Sequence, residues 1–239
     1  MAILEGEKVT RYFGGLAAVS DVDFAVEKGE LVGLIGPNGA GKTTLFNLIS
    51  GALSLKSGTI KFKGQKINGL RPHQICHMGI ARTFQSVKIF GNLPVITNIS
   101  LGALFGQSKP APRSEVVRES NELLDFLGLT EVQSTAAKEL TLVSQKRLEV
   151  ARALATKPEL LLLDELMAGL NPTEVAESMD LVTSIRNRGI TIIMVEHVMK
   201  AIMGICDRII VLHHGEKIAE GTPQDISKSK TVVEVYLGE

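Results

Sequence analysis

The segment Gly36-Pro37-Asn38-Gly39-Ala40-Gly41-Lys42-Thr43 constrains this chain more than any other. It fits the pattern G-x-x-x-x-G-K-[ST] and stands between two segments of different periodicity. Leu31 to Ile35 is a continuous apolar run, as a strand buried on both faces should be, and Thr43 to Ser50 reads as a helix stopped near Gly51. A glycine-rich turn that leaves a buried strand and enters a helix is the context in which this pattern cradles phosphates. Its glycines let backbone N–H groups turn inward, and the helix N-terminus adds partial positive charge. Lys42 is expected to reach the β- and γ-phosphates of a nucleotide. The Thr43 hydroxyl is expected to hold Mg²⁺ and Thr44 to reach the α-phosphate.

A second element, Leu160-Leu161-Leu162-Leu163-Asp164-Glu165, is an apolar strand ending in two acids. Such a strand delivers carboxylates to the C-terminal edge of a sheet, where open α/β folds bind ligands. Asp164 is expected to hold Mg²⁺, partly through water, and Glu165 has the position of a general base that polarises an attacking water.

The rest of the chain alternates in the same rhythm. Strands are expected at Asp21 to Val26, Thr59 to Lys63, Gly79 to Phe84, Thr191 to Val195 and Arg208 to Leu212. Helical patterns run from Gln145 to Thr156, Pro172 to Arg188 and His197 to Gly204. This alternation predicts an α/β fold with a mostly parallel sheet and helices on both faces. Residues 86–145 break the rhythm and read as an inserted helical subdomain. Within it Gly106 to Arg113 is a loop by composition. Ser114 is a candidate N-cap followed by Glu115, with Val117, Leu123, Leu124 and Leu127 forming an apolar face and Gly128 a C-cap.

Composition narrows the function. The 239 residues allow one to two domains, and 44% hydrophobic with 22% charged residues allows a sizeable core. Lys+Arg and Asp+Glu both number 26, and Trp is absent, which argues against a nucleic-acid partner bound by bulk charge or aromatic stacking. Cys76 and Cys206 read as reduced core thiols, which fits the cytosol. Met1 to Thr10 lacks the apolar core of a signal peptide, and the most apolar stretch, Gly189 to Leu212, is interrupted by charges. If this protein serves a membrane, another chain is expected to cross it.

With these motifs in order, the sequence resembles the ATP-binding subunits of ABC transporters from about Leu4 to Glu239. The resemblance implies one ABC ATPase domain over residues 1–239. Its P-loop NTPase core, with an N-terminal antiparallel β subdomain, covers 1–85 and 146–239, and the helical subdomain covers 86–145. It also implies roles. Gln85, after Phe84, looks like the residue that senses metal and attacking water. Ala168-Gly169-Leu170-Asn171 looks like the D-loop, His197 like the switch histidine at the γ-phosphate, and Phe13 like the aromatic residue on adenine. Finer matches are Arg11 to Val19, Ala81-Arg82-Thr83-Phe84-Gln85, Gly169 to Pro172, the Glu196–Gly204 segment and the ending Val235 to Glu239. They are similar to the ATPases of branched-chain amino-acid uptake. The implied cofactors are ATP and Mg²⁺. The implied partners are a second ATPase subunit, identical or not, transmembrane permeases and an extracytoplasmic substrate-binding protein, at the cytoplasmic face of the inner membrane.

The sequence departs from the family pattern in the signature and at two further positions. The signature, usually Leu-Ser-Gly-Gly-Gln, aligns with Leu140-Thr141-Leu142-Val143-Ser144, so the glycine pair becomes Leu142–Val143. Thr141 and Ser144 remain as polar candidates for a nucleotide held by the opposite subunit, with Val143 expected to resist a positive φ. The usual Pro after the acidic pair is Leu166, and the usual Asp after the histidine is Val198. Three rival readings stay open at this point: a lipopolysaccharide-export ATPase, a soluble ABC module, and a small-molecule kinase.

Overall fold

The computed structural model describes residues 2–106 and 111–237. The last residues of the Val235–Glu239 ending and part of the Gly106–Arg113 loop lie outside them. Two sheets organise the chain. Strands β1 (Ala2–Phe13), β2 (Leu16–Glu27), β4 (Ser57–Phe62) and β5 (Gln65–Lys66) form an antiparallel sheet in the order β2-β1-β4-β5. The second sheet follows the order β10-β9-β3-β8-β7-β6, from β3 (Leu31–Ile35), β6 (Ile80–Arg82), β7 (Leu160–Asp164), β8 (Thr191–Val195), β9 (Arg208–His213) and β10 (Glu216–Gly221). All its pairings are parallel except the edge pair β9–β10.

The apolar runs become central strands because each feeds two cores. On β7, Leu161 and Leu163 join one buried cluster while Leu160 and Leu162 join the other. Ile192 and Met194 alternate in the same way with Ile193 and Val195 on β8, as do Ile209 and Val211 with Ile210 and Leu212 on β9. One cluster lies against α5 (Leu142–Ala155), α6 (Pro172–Asn187) and α7 (Met199–Ile205). The other lies between the two sheets and holds α1 (Lys42–Ile49) and α2 (Pro72–Met78). Side chains alternate across a strand, so no residue of these runs reaches water.

Between β6 and β7 come α3 (Val95–Phe105), α4 (Arg113–Phe126), two short 3₁₀ turns and α5, with α8 (Pro223–Lys228) and α9 (Lys230–Leu237) closing the chain. Several local expectations change. Helix α4 begins at Arg113 because Pro112 already holds the extended conformation before it, and no side chain caps it. Its buried stripe is Val116, Ser120 and Leu124, while Val117 points outward at 50% exposure. Helix α5 begins at Leu142, three residues before the expected Gln145, because the Thr141 hydroxyl caps it by accepting from the Ser144 N–H. Of the two thiols only Cys206 is buried, and Cys76 is partly exposed.

Candidate functional site: a phosphate loop facing three polar side chains

The loop from Gly36 to Gly41 joins β3 to α1, and its conformation depends on glycine. Gly36 and Gly41 have φ of 151° and 104°. A Cβ on Gly36 would sit 2.1 Å from the Leu212 carbonyl oxygen, and one on Gly41 would sit 2.3 Å from that of Ala18. No side chain fits at either place, so the loop closes against β2 and the end of β9. Lys42 folds back over the loop, its Nζ donating to the carbonyls of Gly36 at 2.6 Å and Pro37 at 3.0 Å. Burial pulls this ammonium below the ordinary lysine range, and the carboxylates of Glu165 and Asp164 oppose the shift.

A cavity of about 450 Å³ opens beside the loop. Asn38, Gly39, Ala40, Gly41, Lys42, Thr43 and Thr44 form its floor; Phe13, Gln85, Glu165 and His197 reach it from four other parts of the chain. The loop and these distant candidates therefore share one space. Phe13 is half exposed, with the Arg11 guanidinium 5.1 Å from its ring centre. Tyr12, the neighbouring aromatic, does not line the cavity. His214, from the β9–β10 turn, lines it as well, and sequence reasoning missed it.

Three polar side chains meet at the mouth. Gln85 Nε2 donates to both carboxylate oxygens of Glu165, at 3.1 and 3.2 Å, and His197 Nε2 lies 3.1 Å from Oε1. Glu165 itself has φ of 53°, the left-handed region that a side chain rarely occupies. Asp164 is buried behind it. Its Oδ2 accepts from Arg82 Nη2 at 2.7 Å, while its Oδ1 is buried with no hydrogen-bond partner among the described residues. A buried unpaired carboxylate oxygen is costly unless a donor or a cation completes it, and it suits a metal ion or metal-bound water.

Thr141 and Ser144 do not line this cavity. They pair with each other at 3.1 Å at the N-terminus of α5, with Leu142 exposed beside them against Gly169 of the D-loop candidate. Val143 lies in the first turn of the helix and not in the left-handed region, so the expected strain at this position is absent. What replaces the glycine pair is side-chain bulk.

The sequence pattern of the ABC transporter family matches residues 19–168. The chain belongs to the ABC transporter ATPases. A pattern described as branched-chain amino acid ATP-binding cassette transporter also matches residues 216–239. The high-affinity branched-chain amino acid transport ATP-binding protein LivG of Escherichia coli (strain K12) is 42% identical over 240 residues, spanning 95% of this chain and 94% of LivG. The lipopolysaccharide export system ATP-binding protein LptB of Haemophilus influenzae is 33% identical, spanning 100% of this chain and 98% of LptB. Among solved structures, the ADP conformation of the ATP-binding cassette MJ1267 superposes with a TM-score of 0.90 at 32% identity, covering all of both chains. A nucleotide site is therefore a property of this ABC ATPase domain. Its P-loop NTPase core, antiparallel sheet and interposed helices are those the resemblance implied.

Proposed function

We propose that this ATPase subunit powers import of branched-chain or related hydrophobic amino acids. The observation that carries the reading is the match of its C-terminal segment, 216–239, to the branched-chain amino-acid pattern. The higher identity to LivG than to LptB, 42% against 33%, favours import over lipopolysaccharide export. The kinase and soluble-module readings lose their ground to the same matches.

The geometry supports a division of labour at the site. Lys42 would exchange the Gly36 and Pro37 carbonyls for the β- and γ-phosphates, joined by loop N–H groups from Gly36 to Thr44. Thr43, Asp164 and Gln85 would hold Mg²⁺, and the unpaired Asp164 Oδ1 fits that assignment. The ion supplies neutralisation of charge on the β- and γ-phosphate oxygens. Glu165 would orient the attacking water once Gln85 and His197 release its carboxylate, His197 turning to the γ-phosphate. Phe13 would stack on adenine. Thr141 and Ser144 would act on the nucleotide of a second ATPase subunit.

The same reading divides the chain into a core, 1–85 with 146–239, and a helical part, 86–145. A groove of about 300 Å³ runs where they meet, lined by Cys76, Arg82, Phe84, Lys88, Arg152 and Thr156 among others. It suits a segment of a transmembrane permease. No helix among the described residues is long and apolar enough to cross a membrane, so the permease would hold the chain at the cytoplasmic face of the inner membrane. A substrate-binding protein would act through that permease from the other side.

Affinity purification of the tagged chain from its native membrane tests the reading. Two permease chains and an extracytoplasmic amino-acid-binding protein are expected to copurify. Recovery of lipopolysaccharide-export components in their place overturns it.

A further inference from the structure

The backbone that carries Glu165 is gripped by two buried ionisable side chains that the proposed chemistry does not use. Lys146, on α5, is 6% exposed, and its Nζ donates to the carbonyls of Glu165 at 2.9 Å and Leu166 at 2.8 Å. Glu196, just before His197, is 3% exposed, and its Oε1 accepts from the Met167 N–H at 2.8 Å. Three consecutive residues, 165 to 167, thus have a backbone group tied to an ionisable side chain from another element. Buried ammonium and carboxylate groups are expensive unless paired, and here the two attract across the turn without touching. Their hydrogen bonds go to the turn itself.

We infer that Lys146 is a positioning residue for Glu165: by drawing two successive carbonyls onto one ammonium it holds Glu165 in the left-handed conformation that aims its carboxylate at the attacking water. Glu165 is not glycine, so φ of 53° is disfavoured and needs support from its surroundings. Leu166, the next residue, lacks the fixed φ of a proline, and charge-assisted bonds from Lys146 supply the restraint. The turn is also closed from both sides, because the Glu165 N–H donates to the Val195 carbonyl at 2.9 Å. Glu165 is therefore set between β8 and α5. Helix α5 is the helix that presents Thr141 and Leu142 at its N-terminus, so a shift of that end is passed through Lys146 to the carboxylate.

This inference rests on the reading of Glu165 as the water-orienting group, and the experiment separates the two. ATP turnover and ATP affinity are measured in the assembled transporter for wild type, Glu165→Gln, Lys146→Met and Lys146→Arg. The expected result for Lys146→Met is turnover lowered at least tenfold with ATP affinity within twofold of wild type. Lys146→Arg, which keeps charge and two donors, should recover most of the loss. Wild-type turnover in Lys146→Met beside a slow Glu165→Gln overturns the inference and leaves the role of Glu165 standing. Wild-type turnover in Glu165→Gln removes that role and the inference with it. Affinity falling in step with turnover, or no recovery with arginine, assigns Lys146 a purely structural part and also overturns it. If the methionine variant does not fold, Lys146→Gln, which is one atom shorter and uncharged but keeps a polar N–H₂ group, is measured against the same outcomes.

Discussion

Arg82 Nη2 donates to Asp164 Oδ2 at 2.7 Å, with both side chains almost wholly out of water. The same guanidinium donates to Asn47 Oδ1 at 2.5 Å and lies between the rings of Phe46 and Phe84, 5.5 and 5.3 Å from their centres. It ties α1, β6 and β7 together directly behind the phosphate loop. Removing one member of a buried pair leaves the other uncompensated, at ~3–5 kcal/mol. Arg82→Met should therefore lower unfolding free energy by about that amount in urea titrations. Arg82→Lys should recover only part, because one ammonium cannot reproduce the planar fork. Equal stability of wild type and methionine variant would remove the pair from any structural role.

Lys42→Ala should weaken ATP binding by roughly 10- to 150-fold, the equivalent of ~1.5–3 kcal/mol for a charge-assisted contact. Part of the gross contact is already offset, since Lys42 must give up two carbonyl partners in the loop. Isothermal titration with ATP checks it, and unchanged affinity contradicts the assignment of the loop.

Glu165→Gln should keep ATP binding and slow turnover by ~10²–10⁴, the range of general-base contributions. The glutamine can still meet Gln85 and His197, so geometry is retained while basicity is lost. Steady-state hydrolysis within twofold of wild type would exclude the role.

Burial pushes the Glu196 carboxyl up to about 7 from an ordinary value of 4.5, with the Met167 N–H and Lys146 opposing and Glu165 adding to the rise. The folded protein thus holds a proton that the unfolded chain releases between these two values. The stability this gives is fully present below pH ~4.5 and is lost as pH rises through about 7. Glu196→Gln has no such proton, so the fall in stability between pH 5 and 7, at most ~1.4 kcal/mol per pH unit from this group, should be absent in the variant. Identical pH slopes for the two proteins would sink the prediction.

The bulk of Leu142 and Val143 at the start of α5 bears on pairing. If this end faces a second subunit's nucleotide, the exposed Leu142 side chain keeps the helix backbone from close approach. The site built on Lys42 and Glu165 should then carry most turnover, opposite a partner with a regular signature. In the assembled complex, Glu165→Gln should be more damaging than the equivalent change in the partner. The reverse order of effects would show that the asymmetry runs the other way.

Much of the molecule was legible where physics is local. The five-residue runs of β3 and β8 were bounded correctly, since full burial leaves a continuous apolar signature. The phosphate loop and Asp164–Glu165 were legible for the same reason: each motif is set by neighbours in the chain. The long strand β1 was missed because bulges at Gly6/Val9 and Val9/Arg11 shift its register and break the alternation. At the start of α4 the buried valine is Val116 and not Val117, because the helix begins two residues before the expected one, while Leu124 and Leu127 of the expected face are buried. The ties from Arg82 to Asp164 and from Lys146 to two carbonyls join residues far apart in sequence. A carbonyl acceptor carries no side-chain signal, so only the fold reveals them.

The division of each central strand between two buried clusters has a mechanical consequence. Sliding β7 by one residue would carry Leu161 and Leu163 into the space filled by Leu160 and Leu162, and the reverse, so both interiors would come apart at once. The strand that ends in Asp164 and leads into Glu165 is in effect keyed into its slot from above and below. Whatever motion this subunit delivers to a neighbour must come from elements hinged outside that slot, swinging as whole helices about an edge that stays still.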